Sequence, residues 1–143
     1  MRKALPGALA LALGVALAGC GGKHENLERY EQVIEEEVAL LNELASVLET
    51  VKDKKTAEAA EPKVEAIGKK FNDLRERAGK LGKLSRAKYE GVEKKYRPEW
   101  DAAMKRLNTV GEKLHNLYDA LDLIEPRMAI MRTVDEIRKD LRE

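Results

Sequence analysis

The stretch of sequence that decides the fold is residues 26–52, which read NLERYEQVIEEEVALLNELASVLETVK. Its apolar residues fall on the a and d positions of a heptad repeat, and others lie beside them, which predicts an α-helix with a broad apolar face. A face wider than a coiled-coil seam packs against two neighbours, so we expect this helix, with Asn26 as its N-cap, to be central to a bundle. The stripe consists of Leu27, Tyr30, Ile34, Leu41, Leu44, Leu48 and Val51, flanked by Val33, Leu40 and Val47.

The outer face of this helix is strongly acidic, and a solvated surface is the common explanation for such a face. Residues 24–53 carry nine acidic and two basic side chains, whereas residues 54–97 carry seven acidic and fourteen basic ones. Short loops make successive helices antiparallel neighbours. We therefore expect the acidic first helix to lie along the basic second helix and the start of the third, in a domain that is monomeric. The acidic residues of the outer face are Glu28, Glu35, Glu36, Glu43 and Glu49.

Further helices follow from the same apolar periodicity. A second is predicted at about 56–82, with Thr56 as its cap, and a third at about 85–123, with a kink at Pro98. A short C-terminal helix is predicted at about 126–142. No segment shows the alternation of a β-strand. The sequence thus predicts an all-α fold, an antiparallel bundle of three long helices plus a short C-terminal helix.

Residues 1–20 have the layout of a secretory signal peptide, with a basic start, an apolar run over residues 4–18 and then small residues. That run is shorter than the roughly 20 residues that a helix needs to cross a bilayer. The sequence Leu17-Ala18-Gly19-Cys20 resembles the lipobox of bacterial lipoproteins. This resemblance implies diacylglyceryl transfer to the Cys20 sulfur, cleavage before it, and acylation of the new amine by a fatty acid such as palmitate.

The lipobox resemblance also implies where the protein works. Residues 1–19 would be removed, residues 20–25 would form a lipidated cysteine and spacer, and residues 26–143 would form the helical domain. Several acyl chains satisfy the two-signal requirement for stable membrane anchoring. Because Gly21 follows the cysteine, Gram-negative sorting rules imply the outer membrane, facing the periplasm. The alternative is an ordinary signal peptide that ends in a free cysteine.

Composition excludes several classes of function. Cys20 is the only cysteine, so an intramolecular disulfide, a CxxC redox pair and a cysteine zinc cage are all impossible. The chain has 27 basic and 26 acidic residues, and loss of Arg2 and Lys3 leaves 25 basic ones. That balance offers no overall positive charge for nucleic acid.

Residues that could carry chemistry are few. Glu112 and His115 have the Glu-x-x-His spacing of a di-iron helix, but the full site needs that motif twice and the other histidine is His24. His115 and Asp119 could form an acid–base couple, although a surface pair is far commoner and no nucleophile accompanies them. The sequence contains no Gly-rich phosphate loop, HExxH or GxSxG motif. We therefore expect no metal, no cofactor and no catalysis.

Three aromatic residues of the third helix, Tyr89, Tyr96 and Trp100, lie within three turns of each other. They either wall a ligand pocket or belong to the core, and the core is the commoner place for such a stripe. Two hypotheses follow. The domain is a protein-interaction or scaffold module for an unknown envelope partner, or a binding module that holds a small apolar or anionic molecule near Trp100. We favour the first, because the sequence marks no convergent buried polar group.

Overall fold

The computed structural model describes residues 24–142, and it contains four α-helices and no strand within that range. The helices are α1 (His24–Glu49), α2 (Lys54–Leu81), α3 (Arg86–His115) and α4 (Ile124–Leu141), with a 3₁₀ helix (Tyr118–Leu123) before α4. The predicted all-α fold of three long helices and a short C-terminal one is confirmed. The signal-peptide segment and Cys20 lie outside the described residues. No helix in the described range is long and apolar enough to span a bilayer.

Ion pairs show how the helices are arranged. Glu43 and Glu36 of α1 contact Lys70 and Arg77 of α2 at 2.8 and 2.6 Å, so α1 and α2 are antiparallel. The other main neighbour of α1 is α3, whereas α4 packs on α2 and, less extensively, on α3. The helices α1 and α4 therefore face each other across the diagonal of the bundle. As predicted, α1 is held between two neighbours.

The predicted apolar face of α1 forms the centre of the core. Leu41 and Leu44 are completely buried, and Tyr30, Ile34 and Leu48 are each 1% exposed. On α2 the buried residues recur at spacings of three and four, as the sequence indicates. They are Ala57, Ala60, Val64, Ile67, Phe71, Leu74 and Ala78.

Two helix starts differ from prediction. The first helix begins at His24, so Asn26 lies inside the helix and is not its N-cap. At α2 the N-cap is Asp53, whose side chain accepts the N–H of Thr56 at 2.8 Å. The Thr56 hydroxyl in turn accepts the N–H of Asp53 at 3.0 Å, which completes a capping box. Thr56 therefore helps to start α2 from within the helix.

The third helix is continuous through Pro98 but ends at His115, earlier than the predicted 123. Beyond it the N–H of Leu117 donates to the carbonyl of Leu114, and the N–H of Ala120 to that of Leu117, both at 3.0 Å. The apolar residues here recur every three positions, which is the period of a 3₁₀ helix and not of an α-helix. The chain therefore continues as a 3₁₀ helix, which buries Ala120 and Leu123.

Candidate functional site

Glu37 is the one charged side chain that is fully buried among the described residues. It lies on the core face of α1, three residues after Ile34 and four before Leu41. The neighbouring glutamates Glu35 and Glu36 were expected on the outer face, and Glu37 was not among the expected functional residues. The signal was nevertheless present, because position 37 is the d position that the apolar residues of the heptad repeat leave open.

Two side chains from other helices converge on Glu37. Trp100 of α3 donates its Nε1–H to Glu37 Oε1 at 2.7 Å, and Arg138 of α4 donates its Nε–H to the same oxygen at 3.0 Å. The Arg138 guanidinium also lies 5.0 Å from the centroid of the Trp100 ring, which is cation–π distance. Glu37, Trp100 and Arg138, the polar cluster below, thus join three helices across the bundle.

The electrostatics of the polar cluster are set by its burial. Loss of solvent raises the pKa of the Glu37 carboxyl, although the charge of Arg138 and the hydrogen bonds from Trp100 and Arg138 oppose the rise. Two buried polar atoms in the cluster, Glu37 Oε2 and Arg138 Nη2, have no hydrogen-bond partner. Such atoms are rare in folded proteins. Glu37 Oε2 can therefore accept a further hydrogen bond, and Arg138 Nη2 can donate one.

The three aromatic residues of α3 that could wall a ligand pocket or belong to the core occupy two different environments. Tyr89 and Tyr96 are core residues, 6% and 8% exposed. The Tyr96 hydroxyl donates to Glu35 at 2.6 Å, and the Tyr89 hydroxyl accepts a hydrogen bond from Arg142 at 3.0 Å. Trp100 is half-buried and belongs to the polar cluster. The structure thus provides a convergent buried polar group near Trp100, which the sequence did not indicate.

A cleft of about 210 Å³ opens over the polar cluster between α3 and α4. This volume is smaller than the roughly 300–1,000 Å³ of typical small-molecule sites. The cleft therefore suits a small ion or one side chain of another molecule. It is lined by Trp100 and Arg138 and by the more exposed charged residues Glu93, Arg97, Asp101 and Arg142.

The other candidate residues lie apart from this cluster. His115 is the exposed last residue of α3, and it follows Trp100 by 15 positions, or about 22 Å along the helix axis. Glu112 is also exposed. The side chains of His24 and Asp119 are not among those that the structure describes. Among the side chains that are described, no group of three or more potential metal ligands comes together.

Comparisons of the chain with protein-family models, with curated proteins and with solved structures give no significant match. Residue chemistry and geometry are therefore the basis for assigning a function. Among the described residues, the polar cluster of Glu37, Trp100 and Arg138 and the charged cleft above it are the features on which a function can be argued.

Proposed function

We propose that the protein is a lipid-anchored lipoprotein of the cell envelope whose helical domain binds another envelope protein and catalyses no reaction. The lipobox-like residues 17–20 support the anchor. The observation that carries the proposal is that α1 begins at His24, four residues after Cys20. Four residues span at most about 14 Å, so an acylated Cys20 would place the bundle directly on the membrane surface.

The length of α1 then sets how far the domain reaches. Its 26 residues correspond to about 39 Å of helix. Because successive helices alternate in direction, the α1–α2 connection, the 3₁₀ helix and the start of α4 all lie at the end of the bundle away from the anchor. This far end would stand roughly 40 Å from the headgroups, within reach of another envelope protein.

Two methionines near the far end supply a contact surface. Met128 is 44% exposed and is the one large hydrophobic residue that the described part of the chain leaves exposed. Met131 lies one turn further along α4 and is partly buried against the core. Methionine side chains adapt to differently shaped partners, and exposed apolar groups mark contact sites. Met128 and Met131 are therefore the residues we assign to partner binding.

Site-specific photocrosslinking in intact cells tests this assignment. A photoreactive residue in place of Arg132, four residues after Met128 on the same face of α4, should crosslink to one envelope protein. Met128→Glu in the same chain should abolish that product, because it places a charge in the apolar contact. A matched probe at Asn108, exposed on α3, should not give it. Equal capture at both positions, or capture that is indifferent to Met128→Glu, would contradict the assignment.

The anchor has its own test. Mass spectrometry of the mature chain should find acyl chains on Cys20, and Cys20→Ser should remain unprocessed or leave the membrane fraction. Unchanged maturation and unchanged detergent partitioning of Cys20→Ser would show that the protein is not a lipoprotein.

A second candidate function, binding of a small anion, is favoured by the unpartnered Arg138 Nη2 beside the cleft. Arg97 and Arg142 add two further cations there. Trp100 is the only tryptophan, so its fluorescence reports on this cleft alone. A saturable change on titration with phosphate or small carboxylates, lost in Arg97→Gln, would support anion binding. An unchanged signal would leave protein contact as the function.

A further inference from the structure

The turn between α2 and α3 carries a run of positive charge without an acidic residue. Residues 77–88 read RAGKLGKLSRAK, with two arginines and three lysines at its charged positions. Both arginines are in ion pairs, Arg77 with Glu36 at 2.6 Å and Arg86 with Glu90 at 2.8 Å. The three lysines therefore carry the charge of this run that no ion pair compensates.

Lys80, Lys83 and Lys88 are exposed, and none of them forms an ion pair within the part of the chain that the structure describes. Two acidic residues on the helices that flank the turn are already engaged. Glu31 on α1 is bound to Lys95 at 2.9 Å, and Glu93 contacts Arg97 at 3.2 Å and Arg142 at 3.7 Å. Three positive charges are thus gathered around one tight turn.

This turn lies at the anchored end of the bundle. The contact of Arg77 with Glu36 places the last turns of α2 beside the first half of α1, and the contact of Lys95 with Glu31 does the same for the first turns of α3. The α2–α3 turn therefore lies at the end of the bundle where the chain leads back to Cys20.

At the opposite end of the bundle, the segment between α3 and α4 has the opposite sign of charge. Residues 111–125, which lead from the end of α3 into α4, contain four acidic residues and a single lysine. A negatively charged surface would thus attract the α2–α3 turn and repel the segment between α3 and α4.

We propose that the α2–α3 turn binds the anionic lipid headgroups of the membrane that holds Cys20, through Lys80, Lys83 and Lys88. The inference rests on the proposed lipid anchor and adds a second, electrostatic contact with the same membrane. Each lysine near an anionic surface favours association by about fivefold, so three favour it on the order of a hundredfold. The contact holds the bundle with the α2–α3 turn against the membrane, so that Met128 lies near the end that faces away from it.

The test uses the mature, acylated chain in vesicles of phosphatidylcholine, with and without phosphatidylglycerol. A membrane-impermeant amine reagent labels exposed lysines, and peptide mass spectrometry follows each site. Labelling of Lys80, Lys83 and Lys88 should slow at least fivefold on phosphatidylglycerol vesicles, and 0.5 M salt should remove the protection. The exposed far-end residues Lys55 and Lys113 are the matched control sites and should label equally on both vesicles.

A second measurement uses energy transfer from Trp100 to a dansyl lipid. Wild type should transfer more strongly on phosphatidylglycerol vesicles than on phosphatidylcholine, and the triple change of Lys80, Lys83 and Lys88 to Gln should remove that difference. Changing Lys55 and Lys113 to Gln should not. Equal labelling and equal transfer on both vesicles, for a chain whose Cys20 is acylated, would overturn the inference and leave the anchor intact. An unmodified Cys20 would instead overturn the proposed anchor.

Discussion

At the scale of single residues, the interior of the bundle depends on how the charge of Glu37 is compensated. Removal of one member of a buried ion pair leaves the other charge buried, which costs about 3–5 kcal/mol. Glu37→Ala should therefore lower the free energy of unfolding by that amount in urea denaturation. Glu36→Ala, the neighbouring control, breaks the half-exposed contact with Arg77 and should cost no more than about 1 kcal/mol. Equal losses in the two variants would show that Glu37 is not paired in the core.

The same carboxyl predicts a pH dependence of stability. Burial raises the pKa of folded Glu37 above its unfolded value near 4.5, so the folded chain holds this proton more tightly. Its contribution to stability is complete below pH 4.5 and is lost as the pH rises through the folded pKa. Glu37→Gln lacks this titration, so the variant should gain stability relative to wild type as the pH rises. Urea denaturation of both chains from pH 4 to 8 measures the difference, and a constant difference would argue against the raised pKa.

Sequence could predict the position of Glu37 but not its partners. A glutamate three residues after Ile34 and four before Leu41 must face the core of an amphipathic helix. Trp100 and Arg138, however, follow it by 63 and 101 residues. Only the choice of helix neighbours brings them together, and local periodicity does not specify that choice.

At the scale of secondary-structure elements, α3 contains a proline in its interior. Pro98 lacks the N–H that would donate to the carbonyl of Lys94, and interior prolines cost a helix about 3 kcal/mol. Its side chain is exposed, so replacement removes little packing. Pro98→Ala should therefore raise the free energy of unfolding, by up to about 3 kcal/mol. A loss of stability would instead mean that Pro98 sets the path of α3 that brings Trp100 to Glu37.

The end of α3 shows why helix limits are harder to predict than helix faces. Leu114, Leu117 and Leu121 fit an α-helical period, which predicts a helix that continues to about 123. Leu114, Leu117, Ala120 and Leu123 fit a period of three equally well, and the chain adopts that period. Asn116 favours the change, since its side-chain amide donates to the carbonyl of Glu112 at 3.1 Å.

At the scale of the whole molecule, charge follows the arrangement of the helices. The prediction that the acidic α1 lies along the basic α2 and the start of α3 is confirmed by the contacts of Glu43 with Lys70 and of Glu31 with Lys95. The position of α4 did not follow from charge, because residues 98–143 are nearly balanced. The position of α4 is set instead by its apolar face, which includes Val134 and Ile137 and packs mainly against α2.

Compensation of α1 by its own neighbours predicts a monomer whose stability depends only weakly on salt. Apart from the buried contact of Glu37 with Arg138, the ion pairs that α1 makes with other helices are partly exposed, as in the contact of Glu43 with Lys70. Such exposed pairs contribute about 0–1 kcal/mol. Raising the salt from 0.1 to 1 M shortens the Debye length from about 10 to 3 Å, so the melting temperature should fall by only a few degrees. Sedimentation should find a monomer at both salt concentrations, since two acidic α1 faces do not attract each other.

Charge-reversal variants test whether Glu43 of α1 and Lys70 of α2 interact through their charges. Glu43→Lys places two lysines against each other and should lower the melting temperature at low salt, with recovery at high salt as the repulsion is screened. Adding Lys70→Glu restores an opposite pair, and the double variant should melt close to wild type. A loss that salt does not relieve would mean that Glu43 acts through packing of its side chain and not through its charge. A double variant no more stable than the single one would show that the two charges are not coupled, and the pairing of α1 with α2 would then rest on the apolar core alone.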